Sequence, residues 1–159
     1  MNKDQIPKFS ALYKSPIGDL FITGTETAVT GISFQNPQLF DTAIPDCLQL
    51  CVEQLEEYFS GVRKSFSVAL HPRGNDFQLF VWQALQKIPY GKTVSYLDIA
   101  QSIGNPKAVR AVGSANSRNK IPIIIPCHRV IGRDGSLVGY AGGIWRKEYL
   151  LKLEKAILI

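Results

Sequence analysis

The hydrophobic pattern of this chain changes period along its length, and neither a lone sheet nor a lone helical bundle satisfies both periods. FSALYKS, GDLFITGT and AVTGISF are β-rich runs separated by Pro16-Ile17-Gly18 and by the polar pair Glu26-Thr27, the pattern of an antiparallel meander. From Asp46 onward Cys47, Leu48, Cys51, Val52, Leu55, Tyr58 and Phe59 recur every three or four positions, one face of a helix that Gly61 ends. RKSFSVAL reads as a further strand. His71-Pro72-Arg73-Gly74-Asn75 punctuates both periods and predicts two domains, 1–74 and 75–159, a division that 159 residues accommodate.

The second half reads as helical. Asp76 is placed to cap a helix running to about Lys87, with Phe77, Phe80, Val81, Leu85 and Ile88 inward. After the turn at Pro89-Tyr90-Gly91, Ser95 can cap YLDIAQSI, which stops at Gly104-Asn105. Pro106 suits the first turn of the next helix, KAVRAVGSANS. Two short helices joined by a tight Gly-containing turn form a helix-turn-helix candidate. A last helix is expected from about Gly143 to Ala156.

Charge is divided as unevenly as periodicity. Residues 1–75 carry six Lys/Arg against eight Asp/Glu, net −2, and residues 76–159 carry twelve against five, net +7. No acid lies between Asp98 and Asp134, where Lys107, Arg110, Arg118, Lys120, Arg129 and Arg133 all fall. Positive charge confined to one half points to a polyanion partner. No run approaches the roughly 18 apolar residues of a membrane span, and MNKDQIPKF lacks a secretory apolar stretch, so no membrane partner and a cytoplasmic location are expected. The three cysteines are too few for a disulfide framework. Cys47 and Cys51, one turn apart among apolar neighbours, read as small buried hydrophobes. With only His71 and His128 as histidines, neither at a ligand spacing from that pair, no metal and no other cofactor is expected.

The chemistry concentrates in IPIIIPCHRVIG. Pro122 and Pro126 flank three isoleucines, so the backbone there is expected to be extended and apolar. Cys127 follows, with His128 and Arg129 beside it. A free thiol is only a few per cent thiolate at neutral pH, and a neighbouring imidazole or guanidinium favours the ionised nucleophile. Adjacency does not prove contact, and a buried structural cysteine is the commoner reading of Cys-His alone. In the final helix Leu150, Leu151, Ile157 and Leu158 form an apolar stripe in which Glu154 lies. Either that helix end frays into water, or the carboxylate is paired, in which case it can fix the orientation of His128 as the third member of a Cys-His-acid relay. The relay alone would also suit a cysteine hydrolase.

PCHRVIG, preceded by an asparagine, together with NPKAVRAVGSAN and YAGG, resembles the O6-alkylguanine-DNA alkyltransferase family. SPIGDL, EYFSGVRKSF and GNDFQLFVWQALQKIPYGKTVSYLDIA extend the resemblance over the whole chain. It implies an α+β fold: a ribonuclease H-like N-terminal half with a three-stranded antiparallel sheet and helix, and a mostly helical, winged-helix-like C-terminal half bearing the helix-turn-helix. It implies irreversible, stoichiometric transfer of an alkyl group from O6-alkylguanine, and O4-alkylthymine, in double-stranded DNA to Cys127, by a monomer.

The family's roles map onto individual residues of this chain. His128 would be the base, through a water, oriented by Glu154, with Asn119 supporting the turn. Tyr96 would donate a proton to the departing guanine and crowd the phosphate beside the flipped nucleotide. Arg110 would fill the gap that nucleotide leaves, on a minor-groove helix. Small residues Ala108, Ala111, Gly113, Ser114 and Ala115 would let that helix lie close to DNA, flanked by Lys107 and Arg118. Pro122, Pro126, Trp82, Tyr140, Ala141 and Gly142 are the expected pocket residues. At Ala141 some relatives carry a serine whose hydroxyl faces the base, so that contact would have to come from backbone amides. Relatives that only bind the lesion lack the acceptor cysteine, which this chain has.

Overall fold

The computed structural model describes residues 6–37, 40 and 42–157. The chain divides into two compact units, Met1–Arg73 and Gly74–Ile159.

In the first unit β1 (Phe9–Ser15), β2 (Gly18–Gly24) and β3 (Val29–Ser33) form an antiparallel sheet in the order β1-β2-β3. Phe9 stands opposite Gly24 and Ser15 opposite Gly18, and the β2–β3 register shifts between Thr23 and Gly24. Glycine is required at that shift: a Cβ on Gly24 would lie 2.5 Å from the Ala28 carbonyl and 2.6 Å from Leu48 Cδ1. Helix α1 (Asp46–Phe59) buries Leu48, Cys51, Leu55, Tyr58 and Phe59, and Leu20, Ile22, Val29 and Ile32 are buried on the strands. Each such side chain contributes about 1.5–3 kcal/mol.

RKSFSVAL is not a strand. Gln54, buried on α1, donates from Nε2 to Ser67 Oγ at 2.6 Å and accepts from the Ser67 amide at 2.9 Å. This side chain satisfies the backbone that a ladder would have used. Only the end of the segment pairs: Val29 N donates to Ala69 O and His71 N to Val29 O.

The second unit contains α2 (Asp76–Leu85), β4 (Val94–Ser95), α3 (Tyr96–Ser102), α4 (Val109–Ser117), a 3-10 turn (Cys127–Arg129), β5 (Val130–Ile131) and α5 (Ile144–Leu153), with β4 and β5 parallel. Ser95 caps α3 in a reciprocal box with Asp98. The cap of α2 is Asn75, in a box with Gln78, and Asp76 occupies the first turn instead. The buried face of α2 is Val81, Trp82 and Leu85; of the residues expected inward Val81, Leu85 and Ile88 are buried and Phe77 is half-buried, while Phe80 is 62% exposed and Trp82 is buried in addition. Pro106 precedes α4 rather than starting it, because Ala108 N turns back to Asn105 O before the helix opens at Val109. Helix α5 is shorter than its apolar stripe suggests: Glu154 is its C-cap and Lys155 takes a positive φ of 57°. Of the stripe, Leu150 and Leu151 are buried, Ile157 is half-buried, and Leu158 lies outside the described residues. Among the described residues no helix is long and apolar enough to cross a membrane.

Candidate active site

The segment before Cys127 is a tight turn, not extended chain. Ile125 N donates to Ile121 O at 2.9 Å, and Ile123 sits at φ 75°, a region that costs a β-branched residue about 1–3 kcal/mol. Asn119 holds both ends of the turn, its Oδ1 accepting from Ile121 N at 3.0 Å and its Nδ2 donating to Ile125 O at 2.7 Å. Pro126, at φ −82° and ψ 63°, makes an inverse γ-turn, closed by Cys127 N donating to Ile125 O at 2.8 Å. The prolines exclude regular helix, but nothing in their spacing reveals that an asparagine will bend the isoleucines into a loop. Asn116, 2% exposed, donates to Cys127 O at 3.3 Å.

Cys127 itself is 3% exposed. Burial pushes its thiol up to about 11, against the pull of the Asn119 side chain, the Lys147 charge and the backbone amides of Cys127 and His128. The resting group is therefore a neutral thiol, contrary to the thiolate expected from its neighbours. The reason is geometric: the His128 and Arg129 side chains both turn to Glu154. His128 Nε2 lies 2.7 Å from Glu154 Oε2. Arg129 donates from Nε to Glu154 Oε1 at 2.8 Å, from Nη2 to Oε2 at 3.1 Å, and from Nη1 to Ile88 O at 2.7 Å.

This cluster is buried, with His128 at 0% and Glu154 at 2% exposure. Burial alone would raise the Glu154 carboxyl, but its hydrogen bonds to His128 and the Arg129 guanidinium outweigh that and hold it at about 2. Burial lowers His128 below its usual value, against the opposing pull of Glu154, so the imidazole is neutral at pH 7. An ionised carboxylate only accepts, so the imidazole proton is on Nε2 and the Nδ1 lone pair is left for other work. Among the described residues Nδ1 has no hydrogen-bond partner.

The sequence places Arg129 beside Cys127 as a cation favouring the thiolate, and it assigns no role to Lys147, which lies outside this cluster. Arg129 belongs to the acid-free basic run, yet it is 6% exposed and spent on Glu154; the other five basic residues of that run are exposed. Lys147, 0% exposed, donates to Val130 O and Val138 O. Its signal was available: Lys147, Leu150, Leu151 and Glu154 follow the i, i+3, i+4, i+7 spacing of one helix face.

Tyr96 is half-buried and its hydroxyl donates to Val138 O at 3.1 Å. Burial first, and then the charge of Cys127, raise it, as they raise Tyr140. Tyr140 and Gly142 are buried and Ala141 is exposed; Pro122 and Pro126 are buried within the turn. Trp82, expected in the pocket, is 1% exposed and donates from Nε1 to Ala115 O at 2.9 Å, which anchors α4. On α4, Val112, Ala115 and Asn116 face inward, while Arg110, Ala111, Ser114 and Arg118 are exposed. Ala115 is thus small for packing, whereas Ala111 and Ser114 leave a shallow outer surface around Arg110. Lys107 is exposed in the turn before the helix, where Ala108 is half-buried, and Gly113 is half-buried beside Tyr96. Among the described residues no group of three or more His, Cys, Asp or Glu could hold a metal ion.

A buried cysteine beside a histidine held by an acid, on the same unit as two short helices joined by a tight turn, defines the class: a cysteine-histidine-acid site on a helix-turn-helix scaffold. The family model described as 6-O-methylguanine DNA methyltransferase, DNA binding domain, matches residues 76–156, and the ribonuclease-like domain of the same methyltransferase matches residues 8–72. The methylated-DNA--protein-cysteine methyltransferase of Methanosarcina acetivorans is 48% identical over 153 residues, covering 92% of this chain and 97% of that one. The constitutive enzyme of that name from Bacillus subtilis is 44% identical over 155 residues, covering 89% and 92%. The crystal structure of Mycobacterium tuberculosis OGT in complex with DNA is similar at a TM-score of 0.82 and 48% identity, covering 91% of each chain. The chain belongs to the 6-O-methylguanine DNA methyltransferase family.

Proposed function

We propose that this protein repairs DNA by direct reversal, moving the alkyl group of an O6-alkylguanine, or of an O4-alkylthymine, onto Cys127 once and irreversibly. The observation that carries the reading is the buried Cys127 turn backed by a neutral His128 whose Nε2 is held 2.7 Å from Glu154. In the reaction the thiol proton passes, through a water, to His128 Nδ1. The sulfur attacks the alkyl carbon, the S–C bond forms, and the C–O6 bond breaks with its electron pair leaving on the purine. Tyr96 gives a proton to the departing guanine. The product is a thioether, which has no carbonyl for an activated water to attack, so the protein is spent after one event.

A base inside the helical stack cannot reach a thiol that is 3% exposed. Flipping it out costs roughly a few kcal/mol, and Arg110, exposed on α4 among Ala111 and Ser114, offsets part of that by filling the gap from the minor groove. Lys107 and Arg118 contact phosphates. The flipped base is received beside Pro126, Tyr140, Ala141 and Gly142. Residues 75–159 act as the DNA-binding and acceptor domain and 1–74 as its ribonuclease H-like companion, in a monomer. Three free cysteines suit a reducing, cytoplasmic setting.

The experiment is intact-protein and peptide mass spectrometry after mixing with excess duplex containing O6-methylguanine. One methyl mass on the peptide bearing Cys127, and none on Cys127→Ala, is expected. Repair by Cys127→Ala, or a methyl on no cysteine, would overturn the reading.

A further inference from the structure

Among the described residues of the second unit, Lys147 is the buried cation that the acid-histidine cluster does not explain. It has 0% exposure, and a lysine so placed is stable as an ammonium only if its donors are satisfied and a negative charge is at hand. Its Nζ donates to two backbone carbonyls, Val130 O and Val138 O. Among the described residues no Asp or Glu pairs with it, while Arg129 and His128 have already taken Glu154.

The two carbonyls are informative. Val130 directly follows the 3-10 turn that carries Cys127, and it pairs with Val94 next to the cap of α3. The Val138 carbonyl is shared, accepting also from the Tyr96 hydroxyl at 3.1 Å. One ammonium therefore ties α5, the exit of the cysteine turn and the loop leading to Tyr140–Gly142, and through Val138 it sets the Tyr96 hydroxyl. The groups that act on this position are the Cys127 thiol and the neutral His128; Tyr96 shares the Val138 carbonyl, and Arg146, next in the chain, donates to Gly142 O at 2.7 Å and lies over the Trp145 ring. Of these, Cys127 is the group that becomes anionic before the alkyl group moves, when its proton passes to His128.

We propose that Lys147 is the positioning residue of the transfer: its ammonium is the standing counter-ion for the Cys127 thiolate formed during the reaction, and its bond to Val138 fixes the Tyr96 hydroxyl. The inference rests on Cys127 being the alkyl acceptor. Lys147 keeps its proton throughout; the thiol proton goes to His128, so the cation stabilises charge without exchanging it. The mutual influence of the two groups agrees with this: the Lys147 charge lowers the thiol, and burial lowers Lys147 to about 8 against the raising influence of Cys127.

The test is the pH profile of iodoacetamide alkylation, read on the Cys127 peptide of the full chain, in wild type and in Lys147→Met. In wild type the reactive state carries both the ammonium and the thiolate, so the rate should climb about tenfold per pH unit and flatten near pH 8, where Lys147 loses its proton. Lys147→Met should be about tenfold slower at pH 7, corresponding to about one unit on the thiol, with no break near pH 8. A merely structural lysine would slow the variant without moving the break. If Lys147→Met does not fold, as judged by thermal melting, the wild-type profile decides alone. A wild-type rate that keeps climbing about tenfold per unit from about pH 6 to about pH 10 without a break overturns the proposal. Methyl transfer from O6-methylguanine DNA, run on the same wild-type protein, separates the two readings. Its absence sinks the acceptor role of Cys127, whereas transfer with an unbroken profile sinks only the role of Lys147.

Discussion

His128 donates its Nε2 proton to Glu154 Oε2 across 2.7 Å, and the opposite oxygen of the same carboxylate accepts from Arg129 Nε at 2.8 Å. One buried acid thus orients the imidazole and neutralises a buried guanidinium. The pairing makes Glu154 the point at which stability and reactivity are joined.

Glu154→Gln should separate DNA binding from chemistry. Loss of the carboxylate leaves Arg129 buried without a counter-charge, a change that costs about 3–5 kcal/mol, and removes the acceptor that holds the His128 tautomer. Single-turnover methyl transfer should fall by about 100-fold or more, with binding to undamaged duplex within about threefold at a temperature where the variant stays folded. A transfer rate close to wild type would remove His128 orientation from the role of Glu154.

Acid stability follows from the same group. The carboxyl is held at about 2 in the folded chain against an ordinary value of 4.5. A lowered folded value gives stability that is fully present above about 4.5 and is lost as pH falls through about 2. The gap is roughly 2.5 units at about 1.36 kcal/mol each, on the order of 3 kcal/mol. His128 adds in the same direction, because burial disfavours its protonated form when folded. Urea unfolding should therefore weaken steadily from pH 5 to pH 2, and Glu154→Gln should flatten that dependence. An identical acid slope in the variant would place the loss elsewhere.

Arg110→Ala tests the outer face of α4. The side chain is exposed and no ion pair holds it among the described residues, so stability should change by less than about 0.5 kcal/mol. Repair of O6-methylguanine in duplex DNA should slow far more than reaction with free O6-benzylguanine, which needs no flipping. Equal losses on both substrates would remove the gap-filling role.

Trp82→Phe should be costly to stability. The indole is 1% exposed and donates to Ala115 O inside α4; phenylalanine leaves that carbonyl without this donor and a void beside it. A loss of about 2–4 kcal/mol is expected from denaturant midpoints, with the transfer rate of the folded fraction little changed. A rate loss at unchanged stability would return Trp82 to the pocket.

Local patterns carried much of this architecture. The strand runs, the period change at Asp46 and the Ser95 cap are written in residues a few positions apart, which is the range over which propensity and capping act. What escaped depends on side chains meeting from distant positions. Gln54 captures Ser67 and dissolves a strand that RKSFSVAL alone would favour. Asn119 bends the Ile121–Ile125 segment although its prolines suggest extended chain. At the site, Glu154 betrayed its need for a partner by standing in an apolar stripe. Arg129 gave no such sign, because a basic residue in a basic run looks like surface until its carboxylate arrives from 25 residues away. Lys147 sat in the same stripe as Glu154 and was legible by the same logic.

The sequence separation of the acid from its histidine, 26 residues, also orders events during synthesis. A ribosome delivers the sulfur and the imidazole well before the helix that brings Lys147 and the cap that is Glu154. A nascent chain carries Cys127 and His128 with neither Lys147 nor Glu154 in place, and gains both together when α5 docks.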